Sequence, residues 1–417
     1  MNEIDEQTKS LLQKYGQEHL LQKYTEMTEQ DKTKLLQQIK AIDFEQIQKL
    51  YEKTKEKALD NHDKIEPISF IDKDKMTVEE KERRIKIGEE KIKNGKLAYV
   101  TMAGGQGTRL GHVGPKGTFE LINGKTLFEL ICDTLKQANE RYRISIPWYI
   151  MTSRENNDDT VKFFEEKNYL GYNKEDISFF KQGELPMISV EGKILLDEKG
   201  FVKEAADGHG GTFESIVKNH MLEDMKKRNI EWVFISGIDN PLVKMVDPLF
   251  IGLAEENHVL AAGKSLVKTC PEEKVGVFCK RNGRPSVIEY TEISSQMAEQ
   301  RDEQGELSYG EAHILTNMFH IKALEQIGEN KLPYHSAFKK AEYLDENGNV
   351  IKPESPNAYK FESFIFDAFE MLDNMTIMRV KREEEFAPVK NATGVDSPET
   401  ARLLYLNYRV QEQGRNN

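Results

Sequence analysis

The run LAYVTMAGGQGTRLGHVGPKG, Leu97 to Gly117, opens as a strand and closes as an anion-type loop. Leu97 to Met102 is short, apolar and uninterrupted, the pattern of a strand buried on both faces. Ala103-Gly104-Gly105 ends it, and Gly107, Gly111, Gly114 and Gly117 follow, with Arg109 and Lys116 set among them. In open α/β sheets, ligands bind beyond the carboxyl ends of strands. Glycines there let backbone N–H groups approach an anion closely. Arg109 can grip phosphate oxygens in pairs, and Lys116 can act as a mobile point charge. The plainer alternative is a glycine-rich turn carrying two surface cations. Two familiar loops fail on spacing. A G-x-G-x-x-G dinucleotide loop counted from Gly105 needs glycine where Leu110 stands, and a Walker A loop ending at Gly124-Lys125-Thr126 needs glycine where Phe119 stands.

Outward from this run, similar apolar stretches recur at Ile146–Met151, Trp232–Ile235 and Val259–Ala262. Helix-like segments separate them at Leu127–Ala138, Thr160–Lys167 and Phe213–Lys227. Alternating strands and helices predict an α/β fold with a mixed, mostly parallel sheet. Val275–Lys280 and Ser286–Tyr290 form a hairpin pattern around Asn282-Gly283. Before Gly95 the chain reads as helical. Leu11, Leu12, Tyr15, Leu20, Tyr24 and Met27 recur at helical spacing, and Thr28, Asp43 and Thr77 stand as N-caps. Ser397-Pro398 opens a last helix. The expected organisation is an N-terminal helical region over residues 1–95, a core over 96–390 and a short helical segment over 391–417.

The chain has 417 residues, enough for two or three domains and a full core. Its 59 Lys+Arg against 71 Asp+Glu give a net charge of −12, which disfavours nucleic acid and anionic membranes as partners. Cys132, Cys270 and Cys279 include no CxxC pair, so neither a zinc ribbon nor a disulfide framework is expected. No stretch approaches the ~20 apolar residues of a membrane span, and Met1 to Leu12 is polar rather than signal-like. A soluble cytoplasmic protein is expected. Nothing in the charged N-terminal helices separates a protein-partner face from a layer packed on the core.

Three further patterns carry chemistry. Val233 to Asn240 is an apolar strand that delivers Asp239 at its end, suiting either a magnesium ligand or an ordinary turn former. Asp207-Gly208-His209-Gly210-Gly211 sets a histidine between glycines, where it can donate to a sugar hydroxyl or phosphate, or simply fill a loop. Lys360, Phe364, Phe366 and Lys390 form a C-terminal set that reads equally as core aromatics with surface charges.

Taken together these blocks resemble the eukaryotic-type UDP-N-acetylglucosamine pyrophosphorylases, within the wider UDP-glucose pyrophosphorylase family. The likeness runs in order from Leu97–Gly117 through FFKQGELP (Phe179 to Pro186), DGHGGTF, IDNPLVKMVDP, EKVGVFCKRNGRPSVIEYTEIS, YKFESFIFD and REEEFAPVKNATG, covering roughly residues 96–405. It implies a Rossmann-like nucleotidyltransferase core. It also implies uridylyl transfer, in which UTP and a sugar 1-phosphate give UDP-sugar and pyrophosphate with Mg²⁺. By the same resemblance Gly104, Gly105, Gln182 and Gly208 would hold the uracil. Arg109, Lys116 and Lys390 would neutralise phosphates, with Lys360 beside them, and Asp239 would carry Mg²⁺. Glu289, Asn317, Gly210, His209 and Tyr290 would surround the sugar, and Phe364 and Phe366 would wall its acetamido group. N-acetylglucosamine 1-phosphate is the favoured sugar. His209 stands where the acetylglucosamine enzymes usually carry asparagine, as in UDP-glucose and broad UDP-sugar enzymes, which keeps those as the alternative. A sensor that binds without turnover is the remaining reading. The sequence ends soon after Lys390, so the additional C-terminal domain of eukaryotic relatives is expected to be missing.

Overall fold

Six consecutive buried residues, Leu97–Met102, form the strand that the apolar run predicts. The computed structural model describes residues 4–56 and 63–416, with 412–416 by backbone alone. Residues 1–3 and 57–62 of the expected N-terminal region, and Asn417 of the last helix, lie outside the described residues. The chain forms two units, each assembled from three separated segments. The smaller comprises residues 1–62, 183–211 and 332–364, and the larger residues 63–182, 212–331 and 365–417. The N-terminal helices up to Lys55 belong to the smaller unit, and the Val78–Lys93 helix to the larger.

The larger unit is built on an eleven-stranded sheet. Its main order is Ile71–Asp72, Thr376–Arg379, Ala261–Val267, Glu311–His320, Trp232–Gly237, Leu97–Met102, Trp148–Thr152 and Ile177–Lys181. Of these only Glu311–His320 runs antiparallel to its neighbours, so the sheet is mixed and mostly parallel as expected. From Leu97–Met102 the chain proceeds to Trp148–Thr152 on one side, and later returns to Trp232–Gly237 on the other. The order reverses there, which creates a crevice at the carboxyl ends of two adjacent parallel strands. The hairpin also forms, as Val277–Arg281 and Arg284–Ile288, with Asn282 and Gly283 both at positive φ.

Two expectations need correction. The helix expected over Phe213–Lys227 is two helices, Thr212–Lys218 and Met221–Lys227. Asn219 closes the first by donating its side-chain amide to the Ser215 carbonyl at 2.8 Å, and His220 turns left-handed at φ 60°. Leu20, Tyr24 and Met27 do not share a helical face. They lie in and beside two short 3₁₀ turns, from which Leu20 and Tyr24 reach the core.

Close helix packing explains one pair of glycines. A Cβ on Gly88 would lie 1.9 Å from the Pro248 carbonyl oxygen, and one on Gly252 1.8 Å from that of Arg84. The Val78–Lys93 and Pro248–Glu256 helices therefore cross backbone to backbone. Alanine would favour the helix by about 1 kcal/mol through propensity, but the clash costs more. Gly88→Ala is expected to lower unfolding free energy by about 3 kcal/mol, read from the urea midpoint at constant m-value.

The smaller unit packs the Glu6–Lys14, Glu29–Ala41 and Phe44–Lys55 helices over strands Ile188–Ser189, Ala358–Glu362 and His335–Lys339. Leu12, Leu35, Ile39, Phe44 and Ile47 meet Ile194, Leu196 and Phe361 in its core. Thr28 and Asp43 cap their helices, and in the larger unit Thr77 forms a full capping box with Glu80. All three cysteines are free. Burial pushes the Cys132 thiol up to about 12 and the Cys279 thiol to about 11. No helix among the described residues is long and apolar enough to cross a membrane.

Candidate active site

Where the strand order reverses, the loop after Met102 folds back on itself. Gly107 N–H donates to the Gly114 carbonyl at 2.9 Å and Lys116 N–H to the Gly105 carbonyl at 3.0 Å, so Lys116 returns to the strand end. Asn156, which the sequence did not single out, fixes the start of this loop. Its buried amide donates to the carbonyls of Ala103 at 2.9 Å and Gly105 at 3.2 Å, and its oxygen accepts from Ser153 N–H at 2.9 Å. Gln182 is held beside Gly104 through its own N–H, 2.7 Å from the Thr152 carbonyl. A Cβ on Gly104 would lie 2.7 Å from Gln182 Oε1, so a larger residue there would require the Gln182 amide to move.

Across the crevice the neighbouring strand ends at Gly237 and delivers Asp239. Asn240 was also missed by the sequence reading, although it follows Asp239 directly. Its amide donates to the Glu385 carbonyl at 2.7 Å and its oxygen accepts from Ala387 N–H at 2.9 Å. Val389 N–H then donates to the Asp239 carbonyl at 2.9 Å. This latch carries Lys390, from far along the chain, to the carboxylate strand.

Arg109, Lys116, Asp239 and Lys390 line one cavity of about 490 Å³, together with Gly105, Gln106, Thr108 and Leu110. Lys116 is half-buried, and no ion-pair partner lies within reach among the described residues. Burial lowers its pKa, opposed by Asp239 and reinforced by Lys390 and Arg109. Lys390 is exposed, 3.7 Å from Asp396. Such a cluster of cations around one carboxylate is poised for an anionic ligand.

The donor set also tests the expected Mg²⁺. Among the described residues no group of three or more His, Cys, Asp or Glu side chains could hold a metal alone. Asp239, however, lines the cavity with its carboxylate engaged in no hydrogen bond or ion pair among those residues. Magnesium at phosphate-transfer sites takes one or two carboxylates and completes its shell with phosphate and water oxygens. The residues fit a magnesium ion shared with a phosphate ligand, not a protein-only cage.

The other predicted residues divide between the two units. In the larger, Glu289 and Tyr290 follow the hairpin at Ile288, Glu289 half-buried and Tyr290 exposed. Asn317 is fully buried on the Glu311–His320 strand, opposite Ile235 and Gly263. Phe366 is buried with its ring edge-on to His313 at 5.9 Å. In the smaller unit the glycine loop is clamped to the chain at Ser363. Gly210 N–H donates to the Ser363 carbonyl at 2.9 Å, and Ser363 N–H to the Asp207 carbonyl at 2.7 Å. A Cβ on Gly208 would lie 2.2 Å from that Ser363 oxygen, and one on Gly210 2.7 Å from the Phe364 backbone. His209 and His335 both pack on the Phe364 ring, with centroids at 5.4 and 4.9 Å. His335 is a further residue absent from the sequence reading. Lys360 pairs with Glu362 at 2.8 Å, whereas Arg109, Lys116 and Lys390 share the larger unit's cavity.

Residues 10–406 match the model of the UTP–glucose-1-phosphate uridylyltransferase family. The chain belongs to this family. Curated members similar to it include UDP-N-acetylglucosamine pyrophosphorylase of Saccharomyces cerevisiae, 39% identical over 77% of this chain and 70% of that one. UDP-N-acetylglucosamine diphosphorylase 2 of Arabidopsis thaliana is 36% identical, covering 95% of this chain and 82% of its own. Among solved structures, the UDP-N-acetylglucosamine pyrophosphorylase of Trypanosoma brucei in complex with inhibitor aligns with a TM-score of 0.80 at 29% identity. That alignment covers 98% of this chain and 86% of that chain.

Proposed function

We propose that this uridylyltransferase-family chain makes UDP-N-acetylglucosamine and pyrophosphate from UTP and N-acetylglucosamine 1-phosphate. The observation that carries the reading is the cavity in which Arg109, Lys116 and Lys390 surround the Asp239 carboxylate at the reversal of strand order. Relatives named for UDP-N-acetylglucosamine support the sugar. In the proposed chemistry a phosphate oxygen of the sugar 1-phosphate attacks the α-phosphorus of UTP, the bond to the β-phosphate oxygen breaks, and pyrophosphate leaves. The attacking oxygen is already ionised at neutral pH, so no side chain need remove a proton. Catalysis then rests on alignment and charge neutralisation.

Gly104, Gly105 and Gln182 would seat the uracil, with Gly208 of the smaller unit assigned to the same base. Arg109 and Lys116 would hold the triphosphate, and Lys390 would offset charge developing at the reacting phosphate. Asp239 would hold Mg²⁺, which when bound supplies neutralisation of the phosphate oxygens. Glu289, Tyr290, Asn317 and Phe366 are proposed for the sugar in the larger unit, and His209, Gly210, Lys360 and Phe364 in the smaller. The three unpaired cysteines support a reducing, cytoplasmic setting.

Pyrophosphate release from UTP, Mg²⁺ and a panel of sugar 1-phosphates tests the reading. N-acetylglucosamine 1-phosphate is expected to exceed glucose 1-phosphate by at least about tenfold in kcat/KM, the scale of one well-packed apolar group. A higher kcat/KM for glucose or galactose 1-phosphate would transfer the proposal to those sugars. Tight UTP binding without release for any sugar would replace it with the sensor.

A further inference from the structure

Four residues of extended strand span about 13 Å, so side chains at positions i and i+4 of a regular strand do not meet. On the Glu311–His320 strand they do. His313 Nε2 lies 3.3 Å from Asn317 Oδ1. The cause is a distortion between them. Leu315 sits at φ 54°, a left-handed conformation strained for a branched residue inside a strand. Pairing with the neighbouring strand jumps from Gly263↔Asn317 to Ser265↔His313, two residues on one side against four on the other. The surplus chain is looped out, which shortens the path between the two side chains.

The imidazole is also held in plane. Phe278, Phe369 and Phe366 meet its ring edge-on, with centroids at 5.0, 5.9 and 5.9 Å. Asn317 is wholly buried, yet its Nδ2 has no hydrogen-bond partner among the described residues. A buried amide donor left unmet is costly, so its persistence points to a ligand acceptor that completes it.

We propose that His313 is a positioning residue for sugar binding, resting on the uridylyltransferase reading above. Its Nε2–H donates to Asn317 Oδ1, which fixes the amide the other way round from a free rotor and leaves Nδ2–H₂ directed at an acceptor oxygen of the sugar 1-phosphate. The strained turn at Leu315 brings the two residues within reach. Phe366, assigned to the acetamido wall, is braced by the same imidazole.

The test separates the N–H from the ring. His313→Phe keeps an aromatic among the three phenylalanines and deletes the donor. It is expected to raise KM for N-acetylglucosamine 1-phosphate about tenfold, the equivalent of one lost hydrogen bond of about 1.4 kcal/mol, while kcat and the KM for UTP stay within about twofold. His313→Gln, whose Nε2 can reach the same point, is expected to return the sugar KM to within about threefold of the parent. If phenylalanine is not accommodated, as thermal unfolding by circular dichroism would reveal, His313→Leu carries the same comparison. An unchanged sugar KM in the donor-less variant overturns the proposal. So does equal loss in the glutamine variant, or a parallel rise in both KM values, since either marks a merely structural histidine. The unsubstituted enzyme is the control. No pyrophosphate release from it with any sugar 1-phosphate rejects the uridylyltransferase reading and this inference with it, whereas normal release with no shift in the variant rejects the role of His313 alone.

Discussion

Asp239→Ala is expected to cut magnesium-dependent pyrophosphate release by at least about a thousandfold, the several kcal/mol that a correctly placed metal contributes to phosphate chemistry. The Asp239 carboxylate makes no hydrogen bond or ion pair among the described residues, so it holds no neighbouring element in place. The Asn240 latch uses a different side chain and the Asp239 main-chain carbonyl, which alanine retains. Thermal unfolding of the ligand-free variant should therefore stay close to that of the parent. Near-normal turnover in Asp239→Ala would remove Asp239 from the site.

Lys116→Ala should lower kcat/KM by about 2–4 kcal/mol of transition-state stabilisation, on the order of thirtyfold to a thousandfold, the scale of one preorganised electrostatic contact. Its effect on stability should have the opposite sign. Folding half-buries this ammonium with no ion-pair partner among the described residues, and its pKa falls, so the folded state disfavours the charged form. At neutral pH, well below its ordinary pKa, lysine here is a cost. Lys116→Met should raise the Tm of the ligand-free protein while removing activity. A surface cation would do neither, and a loss below tenfold in kcat/KM would restore that reading.

Legibility in the sequence followed chain proximity. Leu97 to Lys116 announces itself because strand, glycines and cations are contiguous, and Asp239 because it ends an apolar run. The caps at Thr28, Asp43 and Thr77 were equally local. Asn156 and Asn240 were not legible, because each acts on backbone groups distant in sequence or hidden in a loop, and an asparagine in a turn looks like any other. The Glu311–His320 strand escaped because it carries Glu311, His313 and Asn317 among its apolar residues. Glu311 is tolerated there by bonds to Arg379 and Ser265 that the linear sequence does not display. The break at His220 was missed for a related reason, since nothing in Asn219-His220 demands a left-handed residue until the preceding turn is closed by the Asn219 amide.

The threefold interleaving of the two units has a consequence for synthesis. A ribosome releases the chain in order, at about 5–20 residues per second. The smaller unit cannot close its three-stranded sheet until Ala358–Glu362 has emerged, and the larger lacks Thr376–Arg379 until later still. The Ile71–Asp72 strand thus waits on the order of ten seconds or more, at that rate, for its partner Thr376–Arg379, made near the end. Neither unit can finish as an early, self-contained nascent domain. Newborn chains of this protein should therefore lean on holding chaperones more than a chain of equal length built from consecutive domains.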